Sequence, residues 1–291
     1  MISMLRPMRA AIAVSTLLLV LLSVVPALAY PVTVVDGRGK RITVKAAPKR
    51  IISLSPNSTE ILFALGLGDR IVGDTTWCNY PPAAKRKSHI GDSKISMEKV
   101  ISLKPDLILA HAKLNISYIG RLEAAGKTVI AIDPKTYDAV MADIRMVGHA
   151  TGADARAHRI ASHMNAVRAQ VRKAASKSVR RKVLFVMQPS PLWVAGPGTV
   201  VDEMAGYVNA VNIARDAAPG FNQYPSERAL AKAPDIIIVG KGEKKYFLSS
   251  PIWRQTKAAR ANHIYEVDYD LLVRPGPRLA DGLLQLSRIV R

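Results

Sequence analysis

Two glutamates occupy the same place in a segment that occurs twice in the sequence. Residues 96–109 and 225–238 each begin a short helical stretch near a glutamate, Glu98 or Glu227, with Pro-Asp seven residues later and then an apolar run. Proline cannot continue the helix, and a short branched run is typical of a buried strand. One carboxylate at a helix start is commonly a partner of the helix dipole. Two matched carboxylates instead favour two similar lobes that each present one acidic group to a docking partner.

Two further side chains have the chemistry of a ligand-binding site. Trp77 lies in a polar and aromatic loop, where ligand contact is favoured over core packing. His111 directly follows an apolar strand, and α/β sheets bind ligands at the carboxyl ends of their strands. A structural histidine is the alternative for His111. Trp193 and Trp253 have no such context, and we expect both to pack in the interior.

The sequence lacks the common patterns of catalysis. It contains no Gly-x-Ser-x-Gly, no Walker-type phosphate loop and no His-Glu-x-x-His. His158 and His163 are five residues apart, which does not bring both to one helical face, and the other histidines are scattered. We therefore expect no enzyme activity, no catalytic residue and no metal site built from protein side chains.

The order of predicted elements indicates an α/β fold with mainly parallel sheets. A hairpin in residues 30–48 precedes alternating strands and helices in residues 49–150. Residues 151–178 carry one narrow apolar stripe flanked by arginines and lysines, which predicts a long linking helix. Alternation resumes in residues 179–291. We expect two α/β lobes joined by this helix, with a ligand cleft between them; a single continuous α/β domain is the alternative.

The first helix of the N-terminal lobe has a recognisable start. Asn57 follows a strand and a Ser-Pro turn, and Glu60 stands three residues later, the spacing of a capping box. We therefore expect Asn57 at the N-cap and assign Glu60 to capping.

The first residues have the pattern of a secretory signal peptide. Arg6 and Arg9 precede an apolar run, and Ala27-Leu28-Ala29 fits the cleavage pattern, so we expect residues 1–29 to be removed. The run is shorter than the roughly 20 residues of a spanning helix, which disfavours a membrane anchor. No cysteine stands at the cleavage site to carry a lipid. The mature protein is expected to be periplasmic.

The chain is strongly basic, with 42 Lys and Arg against 22 Asp and Glu. Such an excess is compatible with nucleic acid, an anionic membrane or an anionic ligand. The basic residues are scattered, however, and no aromatic-interleaved basic run accompanies them. We interpret the excess as a solvated surface and expect a monomer without a nucleic-acid partner. Cys78 is the only cysteine, so no intrachain disulfide forms.

Three segments together resemble a known family. Residues 50–60 read RIISLSPNSTE, residues 77–82 read WCNYPP, and Glu98 precedes Lys104-Pro105-Asp106. This order is similar to that of the helical-backbone periplasmic binding proteins, the substrate-capture subunits of ABC importers for cobalamin, haem and ferric siderophores. The similarity extends from about residue 49 to the C-terminus and is closest to the cobalamin-binding members.

The resemblance implies roles for particular residues. Glu98 and Glu227 match the two glutamates that engage arginines on the dimeric permease, which works with an ATPase. Asp270 and Arg274 match a loop of the C-terminal lobe that faces the ligand, although they are also able to pair with each other. The implied ligand contacts are Trp77, His111, Phe221, Asp270 and Arg274.

Two departures from the family pattern bear on the ligand. Asp92 stands where the cobalamin-binding members have tryptophan, and Met187 replaces another aromatic residue, so two stacking faces are absent. Haem-binding members usually ligate iron through a tyrosine in the loop before the first repeated segment, and residues 89–92 contain none. The remaining candidate iron ligands are His111, Tyr118 and Tyr224.

These observations predict the substrate-binding component of an ABC importer for cobalamin or a related corrinoid. The transported metal chelate is then a cargo, and no resident cofactor is expected. Capture of haem or a ferric siderophore by the same fold is the alternative. A secreted sensory or interaction module without a transporter is the alternative from a different class.

Overall fold

The structure is a computed structural model that describes residues 30–291. The predicted signal peptide, residues 1–29, lies outside the described part of the chain. No helix within residues 30–291 is both long enough and apolar enough to cross a membrane.

The N-terminal lobe is built on a parallel sheet beside a small hairpin. Its strands are β1 (Val32–Val35), β2 (Arg41–Val44), β3 (Ile51–Ser53), β4 (Ile71–Gly73), β5 (Leu107–His111) and β6 (Val129–Ile132). The predicted hairpin is confirmed, since β1 and β2 pair antiparallel. The other four strands are parallel in the order β4-β3-β5-β6, as β/α alternation predicts. The helices are α1 (Pro56–Ala64), α2 (Met97–Ser102), α3 (Ile116–Ala124) and α4 (Tyr137–Thr151), with short 3-10 helices at Gly68–Arg70 and Pro82–Arg86.

The predicted linking helix is present as α5 (Asp154–Ala175), which has 22 residues. At 1.5 Å per residue it is about 33 Å long. Its buried side, which includes Met164 and Val167, packs on α4 of the N-terminal lobe and on the C-terminal helix of the chain. The helix therefore contacts both halves of the molecule along one face.

The C-terminal lobe is built on a mixed sheet. Its strands are β7 (Arg181–Pro189), β8 (Leu192–Ala195), β9 (Ala210–Asn212), β10 (Phe221–Gln223), β11 (Ile236–Gly240) and β12 (Ile264–Val267). Strands β9, β7, β11 and β12 are parallel, whereas β8 is antiparallel to both β7 and β10. The helices are α6 (Val200–Tyr207), α7 (Ser226–Ala231), α8 (Lys244–Ser249), α9 (Lys257–Arg260), α10 (Asp270–Val273) and α11 (Leu279–Val290), with a 3-10 helix at Trp253–Gln255.

The two repeated segments fold into the same unit, one in each lobe. Helix α2 leads into β5, and α7 leads into β11. The residues before the two prolines, Lys104 and Ala233, share a left-handed φ of 48°. The aspartates after the prolines also correspond, because Asp106 accepts hydrogen bonds from Arg50 N and Asp235 accepts one from Lys182 N, at the start of the neighbouring strand. Each Pro-Asp thus fixes the junction between a helix and two parallel strands.

A single hydrophobic core runs through both lobes. It joins Leu109 of β5, Met164 of α5, Ile238 of β11 and Leu283 of α11 in one cluster of buried side chains. Two smaller clusters cover the other faces of the sheets, and each includes one buried residue of a repeated helix, Val100 of α2 or Ala229 of α7. Because the central core is shared, we expect the lobes to move little relative to each other.

Two predictions about individual residues are wrong. Helix α1 begins at Pro56 with Ser55 at its N-cap, because proline suits the first helical position; Asn57 lies inside the helix, and Glu60 does not cap it. Trp253 is fully buried as expected, but Trp193 is 39% exposed, since it lies on the outward side of β8 between the buried Leu192 and Val194.

Candidate functional site

A cavity of about 490 Å³ lies between the lobes. The N-terminal lobe supplies the segments that follow β3, β5 and β6, so the cavity lies at the carboxyl ends of parallel strands, where α/β sheets bind ligands. The C-terminal lobe supplies the start of α6, the start of β10 and the segment around α10. The volume falls within the common range of small-molecule sites, about 300–1,000 Å³.

Four of the five predicted ligand contacts line this cavity: His111, Phe221, Asp270 and Arg274. Trp77 is not among the lining residues, and its side chain is 62% exposed. Its loop nevertheless reaches the cavity wall, because Asn79 Oδ1 accepts a hydrogen bond of 2.8 Å from Arg274 Nη1. The tertiary structure therefore brings four of these residues together and leaves Trp77 on an adjoining loop.

His111 is held in place by a residue that sequence reasoning missed. Its backbone N–H donates to Asn115 Oδ1 at 2.7 Å, and Asn115 Nδ2 donates to the carbonyl of Leu54 at 3.2 Å. Burial lowers the pKa of His111, which favours the neutral imidazole. Its Nδ1 accepts from Lys113 N at 3.3 Å, so the ring proton lies on Nε2. Binding a metal through Nε2 requires the other tautomer.

A buried glutamate of the N-terminal lobe binds two arginines of the C-terminal lobe. The side chain of Glu60 is 2% exposed and accepts hydrogen bonds from Arg274 Nη1 at 2.9 Å and from Arg278 Nε at 2.8 Å and Nη2 at 2.6 Å. Burial opposes the charge of Arg278, but the hydrogen bonds and charge of Glu60 outweigh it and raise the pKa of Arg278. We call Glu60, Arg274 and Arg278 the interlobe ion-pair cluster.

The interlobe ion-pair cluster also contacts Asp270 of the C-terminal lobe and Tyr80 of the N-terminal lobe. Arg274 Nη2 also lies 2.7 Å from Asp270 Oδ2, so the expected Asp270–Arg274 pair exists but is not the only partner of Arg274. The guanidinium carbon of Arg278 lies 3.8 Å from the centre of the Tyr80 ring. Glu60 and Arg278 border a second cavity of about 330 Å³. The only sequence signal for this cluster was an acidic residue beside the apolar Ile61-Leu62 pair of α1.

The other candidate iron ligands lie away from the cavity. Tyr118 Oη accepts a hydrogen bond from Ile95 N, and the buried Tyr224 donates to Asp216 within the C-terminal lobe. Asp92 is exposed and Met187 is half-buried, and neither lines the cavity. Across residues 30–291, no three His, Cys, Asp or Glu side chains are grouped closely enough to hold a metal ion.

Glu98 and Glu227 occupy equivalent positions on the outside of the two lobes. Each lies in the first turn of its helix, α2 or α7, and each is exposed. Within the described residues, neither carboxylate lies in a salt bridge, whereas the buried Glu60 has two. The two groups are therefore available to a basic partner at the surface.

Comparison with known proteins agrees with this architecture. Residues 51–271 match the family model described as "Periplasmic binding protein". The ABC transporter substrate-binding lipoprotein YvrC of Bacillus subtilis is 36% identical over 270 residues, which is 90% of this chain and 86% of YvrC.

Two solved structures show the same fold. The crystal structure of the periplasmic vitamin B12 binding protein BtuF of Vibrio cholerae has a TM-score of 0.77 and 26% identity, covering 84% of this chain and 97% of BtuF. The periplasmic heme-binding protein RhuT of Roseiflexus sp. RS-1 has a TM-score of 0.74 and 31% identity, covering 83% of this chain and 97% of RhuT. The chain therefore belongs to the periplasmic binding protein family and is a substrate-binding component of an ABC transporter.

Proposed function

We propose that the protein captures cobalamin or a related corrinoid in the periplasm and delivers it to an ABC permease. The observation that carries this proposal is the pair of exposed aromatic rings at the cleft, Phe221 on its wall and Trp77 on the adjoining loop, 42% and 62% exposed. Large exposed aromatic groups beside a cavity are typical of ligand contacts. The similarity to the vitamin B12 binding protein BtuF supports the same ligand class.

Titration of the purified mature protein with cobalamin, cobinamide and haemin tests this proposal. We expect one-to-one corrinoid binding that is weakened in Trp77→Ala and in Phe221→Ala, because each change removes a stacking face. Trp193→Ala is the matched control for Phe221→Ala, since Trp193 is 39% exposed, close to the 42% of Phe221, but lies outside the cavity lining. Wild-type protein that binds neither corrinoid would refute the proposal.

Haem is the second candidate cargo, and His111 is the observation that favours it. A neutral imidazole at the cavity wall is a competent iron ligand once its proton moves to Nδ1. If haem is the cargo, haemin binds with a shifted Soret band that His111→Ala abolishes. A Soret band unchanged by His111→Ala would argue against iron ligation by this residue.

Delivery is proposed to use Glu98 and Glu227 as contacts to basic residues of the permease, one glutamate per lobe. Their equivalent, exposed positions support this role. We expect Glu98→Arg combined with Glu227→Arg to abolish cellular uptake while ligand affinity stays unchanged, because the cleft is not altered. Asp69→Arg is the matched control, because it reverses another exposed acidic residue. Normal uptake by the double variant would exclude this docking mode.

Export of the chain is the last part of the proposal. The signal-peptide pattern of residues 1–29 supports it, and periplasmic or lipoprotein relatives agree with it. N-terminal sequencing of protein recovered from the periplasm should give Tyr30 as the first residue. Protein that retains Met1 would contradict cleavage.

A further inference from the structure

The loop that follows β4 in the N-terminal lobe is attached to the C-terminal lobe. We call residues 74–92 the aromatic loop. Asn79 Oδ1 accepts a hydrogen bond of 2.8 Å from Arg274 Nη1, and the guanidinium carbon of Arg278 lies 3.8 Å from the centre of the Tyr80 ring. A guanidinium within about 6 Å of an aromatic ring centre is attracted to the ring. Two consecutive residues of the aromatic loop therefore bind two arginines of the opposite lobe.

Both arginines are fixed by the interlobe ion-pair cluster. Their side chains are 13% and 12% exposed, and both donate hydrogen bonds to the carboxylate of Glu60, which is 2% exposed. Hydrogen bonds between ionised groups are among the strongest in proteins, so these side chains have little freedom to change conformation. The aromatic loop is thus attached to fixed points of the C-terminal lobe rather than to mobile surface side chains.

The residues on either side of Trp77 are also attached to the N-terminal lobe. Thr76 N donates to the carbonyl of Gly91 at 2.9 Å. Cys78 is buried, and Thr59 Oγ1 of α1 donates to its Sγ at 3.0 Å. The ring of Trp77 is exposed between these two attached neighbours. The structure therefore holds the backbone of an exposed aromatic residue in a defined place at the edge of the cleft.

Asn79 and Tyr80 themselves lie outside the cleft. Neither lines the cavity of about 490 Å³, whereas Arg274 does, and Tyr80 borders the second cavity instead. A substitution at Asn79 or Tyr80 therefore acts on a cargo in the cleft through the residues that these two hold in place.

We propose that Asn79 and Tyr80 are positioning residues for cargo binding, which hold the Trp77 ring beside the cleft by attaching the aromatic loop to the C-terminal lobe. The cargo then meets an aromatic face whose position is already fixed, so binding does not carry the entropic cost of ordering the loop. This inference rests on the proposed function, because it takes Trp77 as a cargo contact.

The first test measures the motion of the Trp77 ring without cargo. All proteins carry Trp193→Phe, so that Trp77 is the exposed tryptophan and the other, Trp253, is fully buried. Time-resolved fluorescence anisotropy follows nanosecond motion of the ring. We expect Asn79→Ala combined with Tyr80→Leu to increase the amplitude of this motion, because the loop loses both contacts with the arginines.

Conservative substitutions provide the matched controls. Asn79→Asp keeps an oxygen that accepts from Arg274, and Tyr80→Phe keeps the ring that faces Arg278, so the two together should leave the anisotropy unchanged. Arg86→Ala removes an exposed side chain of the same loop and should also leave it unchanged. Unaltered anisotropy in Asn79→Ala with Tyr80→Leu, or an equal increase in the conservative variant, would overturn the inference.

The second test measures affinity for whichever of cobalamin, cobinamide and haemin binds the wild type. We expect Asn79→Ala with Tyr80→Leu to weaken binding roughly 10-fold, because binding must then order the loop. In a Trp77→Ala background the same two changes should alter affinity by less than about 2-fold, since the ring that they position is absent. Equal losses in both backgrounds would overturn the inference. The single variants repeat the test if thermal unfolding shows that the double variant does not fold.

The two proposals fail in distinguishable ways. If the wild type binds none of these cargoes but the motion of Trp77 depends on Asn79 and Tyr80, the proposed function fails and the attachment of the loop stands. If a corrinoid or haemin binds equally well to the wild type and to Asn79→Ala with Tyr80→Leu, the function stands and the positioning role fails.

Discussion

Replacing Glu60 by glutamine should destabilise the whole protein rather than one lobe. The change keeps the shape of the side chain but removes the charge that compensates Arg274 and Arg278, whose side chains are only 13% and 12% exposed. Removing one partner of a buried ion pair costs about 3–5 kcal/mol. We expect about 3 kcal/mol here, because both arginines keep some solvent contact. For a chain of this size the loss corresponds to a decrease in Tm of about 6–12 °C.

Thermal and urea unfolding of wild type and Glu60→Gln would measure this loss. We expect one cooperative transition in both proteins, since the central core is shared by the lobes. Arg278→Gln and the double variant complete a mutant cycle. The double variant should lose at least about 1 kcal/mol less free energy of unfolding than the sum of the losses in the two single variants.

Asp216→Asn is the matched control for Glu60→Gln. Asp216 also contacts two cationic side chains, Lys232 and Arg228, but it is 36% exposed. Surface ion pairs contribute about 0–1 kcal/mol, so the control should lose no more than that. Equal losses in Glu60→Gln and Asp216→Asn, or additive effects of Glu60→Gln and Arg278→Gln, would refute the reasoning.

Two further predictions concern buried or structural aspartates. Burial, aided by Asp133 and Asp36, raises the pKa of Asp143 to about 7, so the folded state holds a proton that the unfolded state releases above about pH 4. The stability of the wild type should therefore fall as pH rises from about 4 to about 7. The Tm of Asp143→Asn should exceed that of wild type by an amount that grows over this pH range. A Tm difference that does not depend on pH would contradict this prediction. Asp106→Ala and Asp235→Ala should each cost about 1–3 kcal/mol in urea unfolding, because backbone N–H groups at a strand start lose their acceptor. Asp69→Ala, at an exposed aspartate, is the control, and we expect it to change the free energy of unfolding by no more than about 0.5 kcal/mol. An equally small change in Asp106→Ala and Asp235→Ala would show that the hydrogen bonds of Asp106 and Asp235 do not stabilise the protein.

Local patterns predicted most of the helices and strands of this fold. The hairpin, the parallel β/α alternation and the linking helix α5 follow from hydrophobic periodicity and from Gly and Pro positions, which act within a few residues. Five short elements were missed: β9, β10, α8, α9 and α10 each have six residues or fewer, too few to show a period. The antiparallel pairing of β8 with β7 and β10 was also not predicted, because pairing partners are chosen between strands rather than within them.

The sequence by itself determined that the chain has two equivalent α/β units, each with an exposed glutamate. A repeated pattern is local information, and the same helix, Pro-Asp and strand fold alike in each lobe. It also predicted that His111 lies at the cavity, because a residue at the carboxyl end of a buried parallel strand lies where α/β sheets form their clefts.

Tertiary structure alone decided the role of Glu60. Local spacing assigned it to helix capping, yet Glu60 binds arginines more than 200 positions away. This outcome depends on how the C-terminal lobe packs against α1. The physical reason is that capping competes with long-range partners, and a buried charge is held by the strongest compensating group, whatever its distance along the chain.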